Sequence, residues 1–76
     1  MDNKKLKKLI QLISKVTRIE EVKIKIGSKS SDFERWDSIV HVNLMIEIEK
    51  KYKVKIPTSL FEELNSVKKI LKFLKI

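Results

Sequence analysis

The chain has 76 residues, no cysteine, and 18 lysines and arginines against 10 acids, a formal charge of +8. That length fits one small domain, residues 1–76, burying roughly 60% of its unfolded surface around a single modest core. The missing cysteines exclude a disulfide framework, a thiolate metal site and a cysteine nucleophile. No apolar run approaches the roughly 18 residues of a membrane span, and the lysine-rich N-terminus lacks the apolar stretch of a signal peptide. A cytoplasmic protein, monomeric and without stable membrane insertion, is the expectation.

The charge points to an anionic partner such as nucleic acid or an acidic membrane. Only Arg18 and Arg35 are arginines, however, and lysine lacks the planar fork that reads guanine or grips phosphate bidentately. Isoleucine is abundant beside lysine, as in AT-rich coding sequence, so compositional drift is an equal account of the charge.

In chain order, Asp2 or Asn3 can cap a first helix whose Leu6, Leu9, Ile10, Ile13 and Val16 keep helical spacing. Lys4, Lys5, Lys7 and Lys8 crowd its first turns, where cations oppose the helix dipole, and they read as a solvated face. From Thr17 to Trp36 the helical period is lost. Val22, Ile24 and Ile26 alternate with polar residues, as do Val54 and Ile56, which taken alone is a strand signal. A two-stranded ribbon is marginal in water, and the segment is assigned as a long ordered loop. Val22, Ile24 or Ile26, and Phe33 are expected to be buried, with Gly27, Ser28, Ser30 and Ser31 as its flexible centre.

A second helix is predicted from about Ser38 to Lys51, apolar over much of its circumference (Ile39, Val40, Val42, Leu44, Met45, Ile46, Ile48). Such a helix is central or keeps a second apolar face for partners. Pro57 stops the extended stretch. Ser59 with Glu62 suggests a capping box for a short third helix through Leu64. Asn65 or Ser66 then caps a last helix with Val67, Ile70, Leu71, Leu74 and Ile76 on one face and Lys68, Lys69, Lys72 and Lys75 on the other. The fold class is all-α: a small four-helix bundle of three longer helices and a short third one, with a long first loop.

Ser38 stands where an irregular segment meets a helix, so its hydroxyl lies beside unpaired N–H groups at the positive end of the helix dipole. A phosphate attached there would be held by the same groups. Asp37, Ser38 and His41 form the one Ser/His/acid trio close in sequence, but Asp37 precedes the helix and no substrate pocket is evident, so the chain is not expected to be an enzyme. Glu47 and Glu49 do not share a helical face, and no spacing matches a metal site. Trp36 reads as an anchor of the loop rather than a base-stacking platform.

Trp36-Asp37-Ser38-Ile39, the helical run through Glu47-Ile48-Glu49-Lys50-Lys51-Tyr52, and Val54-Lys55-Ile56-Pro57 together resemble an acyl carrier protein, in the branch that opens on Trp-Asp-Ser. The resemblance implies that Ser38 carries a 4'-phosphopantetheine arm through a phosphodiester, with acyl or aminoacyl groups held as thioesters on the arm's thiol. It implies that Asp37 presents the serine while Trp36 and Ile39 fix the local geometry. The resemblance also implies that Val40, His41, Asn43, Ile46, Glu47 and Lys50 face partners, and from their apolar character Val42, Ile46 and Leu71 are expected to line a cleft for part of the acyl chain. The implied partners are a phosphopantetheinyl transferase and acyl-transferring, adenylating or synthase enzymes, with no nucleic acid. One departure stands out. Carrier proteins usually present an acidic second helix, but from Asp37 to Lys53 three acids meet three lysines, which weakens electrostatic steering to general fatty-acid enzymes and favours a dedicated pathway carrying fatty, amino or aryl acids.

Overall fold

The computed structural model describes residues 3–75. It contains three α-helices, α1 (Asn3–Thr17), α2 (Ser38–Tyr52) and α3 (Val67–Leu74), with 3-10 turns at Glu21–Lys23, Ser30–Asp32 and Thr58–Leu60. No β-strand occurs among the described residues; the one ladder contact is an isolated antiparallel bridge between Lys29 and Ser66. The expected four-helix count is corrected to three. The segment after Pro57 closes a 3-10 turn over Thr58–Leu60, Phe61 keeps helical dihedrals and Leu64 N–H donates to Leu60 O at 3.0 Å, but no α-helix is propagated and no side-chain cap forms there. Ser59 and Glu62 therefore make no capping box, and too few residues remain before Ser66 to propagate a helix beyond its costly first turn.

The apolar stripe of α1 drives its packing. Leu9, Leu12 and Ile13 are buried, with Leu6, Ile10 and Val16 partly so. They meet Leu44, Met45 and Ile48 of α2 and Val67 and Ile70 of α3 in one core. α1 packs against both other helices. Each large side chain buried here is worth about 1.5–3 kcal/mol relative to exposure, which offsets the unfavourable lysines at the start of α1. The candidate cap Asp2, like Ile76, lies outside the described residues. At the other end of the bundle Ser66 is the N-cap of α3, its hydroxyl accepting from Lys69 N–H at 3.2 Å.

All three helices end on a cation with positive φ: Arg18 at 63°, Lys53 at 54° and Lys75 at 58°. Glycine is the usual occupant of such left-handed caps, yet the chain's one glycine, Gly27, has no positive φ. At Arg18 the strain is offset by a small polar knot. Arg18 N–H donates to Ser14 O at 2.7 Å, Thr17 Oγ1 donates to Ile13 O at 2.7 Å, and Ile19 N–H donates back to Thr17 Oγ1 at 3.2 Å.

The first loop is ordered, as expected, but differently apportioned. Ile24 is buried and Phe33 partly buried against the core, whereas Val22 is 74% exposed and Ile26 is also exposed. The correction for Val22 follows from the 3-10 turn at Glu21–Lys23, which breaks the alternation and turns that side chain outward. The centre of the loop is pinned. Buried Ser28 accepts Lys25 N–H on its hydroxyl at 2.8 Å and Val67 N–H on its carbonyl at 3.1 Å, while Ser30 N–H donates to Asn65 O at 2.8 Å. These bonds fasten the loop to the start of α3 and so fix where the following residues enter α2.

Candidate functional site

Asp37 is the N-cap of α2, extended in backbone (φ −83°, ψ −178°), and its carboxylate accepts Val40 N–H at 2.9 Å. That bond satisfies one first-turn donor and places a negative charge at the favourable end of the helix dipole. Ser38 is the first helical residue and is exposed. The N–H groups of Ser38 and Ile39 lie in the first turn, where an α-helix offers no intrahelical partner. A phosphate joined to the Ser38 hydroxyl would lie at the end of the helix where such donors gather.

Two residues behind the serine hold this corner. Trp36 is 2% exposed, and its indole Nε1–H donates to His41 Nδ1 at 2.9 Å. Since Nδ1 accepts, the proton of the neutral ring sits on Nε2, which donates to Phe61 O at 2.6 Å. One imidazole therefore ties together the end of the first loop, the first turns of α2 and the segment leading to α3. The surface or partner-facing role expected of His41 is corrected: at 8% exposure it is a buried connector. Neither ring nitrogen is left for the Ser38 hydroxyl, so the arrangement lacks the base that a serine nucleophile needs. A signal for this was present in the sequence. Trp36 precedes the cap and His41 is the fourth helical residue, the pair of positions joined in a hydrophobic staple.

The other residues of α2 separate by face. Ile39 is 74% exposed, so the local geometry rests on Trp36 and not on it. Val42 and Ile46 are exposed, as is Asn43, and Val40 is half-buried. Glu47 and Lys50 form an exposed ion pair at 3.7 Å. Leu71 is half-buried against the core. Beside Ser38 an open depression of about 430 Å³ is lined by Ser30, Trp36, Asp37, His41, Glu62 and Asn65. No group of three metal-ligating side chains occurs among the described residues, and no helix is long and apolar enough to cross a membrane.

An exposed serine on a capped helix start, behind a pinned loop, suits covalent attachment of a phosphate-linked group. Residues 7–74 match the family model of the phosphopantetheine attachment site. The chain belongs to this family. The match takes in α2 and α3 whole and α1 from residue 7 onward, so the resemblance extends over most of the bundle. Domains of the phosphopantetheine attachment family carry the 4'-phosphopantetheine arm covalently, are non-catalytic carriers, and interact with phosphopantetheinyl transferases and partner enzymes. No curated protein matches the sequence.

Proposed function

We propose that this carrier holds its arm on Ser38, through a phosphodiester to the serine Oγ, and that acyl or aminoacyl groups ride on the arm's thiol as thioesters. The observation that carries the reading is the placement of the hydroxyl. Of the chain's seven serines, Ser14, Ser28 and Ser66 have their hydroxyls engaged by backbone groups. Ser30, Ser31 and Ser59 lie in 3-10 turns. Ser38 alone combines exposure with the start of a long α-helix. The mechanism is tethering: a flexible arm raises the effective concentration of its cargo at each partner's active site. Asp37 presents the serine, Trp36 and His41 hold the corner, and Ile39, Val42, Asn43 and Ile46 offer the exposed flank that a partner would meet.

The neutral charge of residues 37–53 favours a dedicated set of partners over general fatty-acid enzymes, because complementary charge chiefly governs encounter rate and partner choice. A peptidyl or aryl carrier of such a pathway fits the same observation. Loading distinguishes the cargo classes: holo-protein is offered acyl-transferring and adenylating enzymes, and the hydroxylamine-labile mass gain is read. A thioester-bound group on the wild type and none on Ser38→Ala is the expected result. A stable, hydroxylamine-resistant adduct, or no loading by either class, would contradict the proposal.

A further inference from the structure

The charge of this protein is not spread over it. Residues 4–8, 50–55 and 72–75 contain ten of the 18 cationic residues and none of the 10 acids. Everywhere else eight cations face ten acids, so the rest of the chain is slightly acidic. These three segments belong to three different elements, and the fold brings them to one end.

The direction of each helix shows this. α3 starts where α2 starts, since Asn65 and Ser38 border the same depression and His41 of α2 bonds Phe61. α1 runs the other way: Arg18, just past its last residue, borders a depression with Asp32, Glu34 and Arg35, the approach to Ser38. Hence the beginning of α1 and the ends of α2 and α3 share the opposite pole. Ile56 N–H, donating to Glu49 Oε2 at 2.8 Å, keeps residues 53–55 against the last turns of α2. About 21 Å of helix separates this pole from Ser38. All ten of its lysines are exposed.

We propose that this pole is a docking surface for an anionic lipid membrane, a peripheral contact that leaves the Ser38 end facing away from the bilayer. Three features favour lipid over nucleic acid. Both arginines, the side chains suited to bidentate phosphate and guanine contacts, lie at the other end. The one tryptophan is buried and bonded to His41, so it cannot stack on bases. Lysines on long stems from separate elements, Lys50 among them with Glu47 beside it, form a diffuse field, which suits a surface of mobile anionic headgroups. Phe73 and Leu74, half-buried between Lys72 and Lys75, add apolar area beside the charges.

The test is sedimentation with vesicles of phosphatidylcholine containing about one-third phosphatidylserine, against vesicles of phosphatidylcholine alone. The wild type should bind only the anionic vesicles, and binding should fade as salt rises from about 0.05 M to about 0.5 M and the screening length shrinks. Two variants lower the formal charge equally. Lys5→Glu/Lys8→Glu/Lys72→Glu/Lys75→Glu alters the pole, and Lys25→Glu/Arg35→Glu/Lys68→Glu/Lys69→Glu alters the remainder. The first should weaken anionic-vesicle binding on the order of a hundredfold and the second by less than about tenfold. Glutamine at the same four pole positions serves if the glutamates prevent folding, as judged by helical circular dichroism. Equal loss in both variants would reduce the effect to net charge and overturn the proposal. So would absence of binding to the anionic vesicles, or tighter binding to mixed-sequence duplex DNA at the same salt.

Discussion

Along α2, His41, Leu44, Met45 and Ile48 are buried, whereas Ile39, Val42 and Ile46 stand at 74%, 42% and 40% exposure. The two sets lie on well-separated sides of one helix and, His41 apart, are similar in apolar character. The first set follows the i, i+3, i+4, i+7 spacing, and its Leu44, Met45 and Ile48 meet α1 in the core. The second follows i, i+3, i+7 and stays outside the core. Apolar surface that folding does not use marks a face for association, and here it begins one residue after Ser38. The same helix thus anchors the bundle by one side and offers the neighbourhood of Ser38, the proposed attachment site, by the other.

Truncating each side should separate stability from association. Leu44→Ala removes a fully buried side chain and should cost about 2–5 kcal/mol by urea unfolding. Ile46→Ala, on the exposed side, should stay within about 0.5 kcal/mol while slowing transfer to a partner enzyme. If both variants lost stability alike, the two-sided account of α2 would fail.

His41 belongs to the buried side yet is polar. Substitution by alanine strands the Trp36 indole N–H and the Phe61 carbonyl, at about 1–3 kcal/mol for each group left unsatisfied. The emission of Trp36, the only tryptophan, should shift to longer wavelength as the corner loosens, and modification of Ser38 should slow although its hydroxyl is untouched. Unchanged emission with unchanged modification would show that the His41 connection is dispensable.

Where both sides of α2 stop, Lys53 holds the left-handed cap at φ 54°. A non-glycine residue in that region is disfavoured by about 1 kcal/mol, so Lys53→Gly should raise the unfolding midpoint slightly. Just before it, the Tyr52 hydroxyl is buried without a hydrogen-bond partner, and burial pushes its pKa above the ordinary 10.0. The folded state holds the phenolic proton more tightly than the unfolded one. Its contribution to stability is therefore complete below pH 10 and lost as the pH rises through the higher folded value. Since Tyr52 is the sole tyrosine, phenolate absorbance should show a midpoint above 10 in the folded protein and near 10 in denaturant.

The helices were legible because α1, α2 and α3 are written in apolar spacing with a readable cap at Ser66. The motif around Ser38 was legible because its residue types and the helix behind it coincide. Other features depended on tertiary context. Val22 and Ile24 have similar sequence surroundings, and only the 3-10 turn at Glu21–Lys23 decides which faces the core. Ser59 and Glu62 have the spacing of a capping box, but the segment Thr58–Glu63 is held by Phe61 O on His41, by 3-10 bonds and by one bond from Leu64 N–H to Leu60 O rather than by a continuous helix. His41 looked like surface because histidine is polar. Its burial follows from two partners, Trp36 and Phe61, the second twenty residues away.

The central claim is that Ser38 receives the phosphopantetheine arm. Incubation with coenzyme A and a broad-specificity phosphopantetheinyl transferase, followed by fragment mass analysis, assigns the added mass to one of the seven serines. The account predicts a single phosphopantetheine on Ser38 and none on Ser38→Ala. Mass added at another serine, or retained in the Ser38→Ala protein, would contradict it.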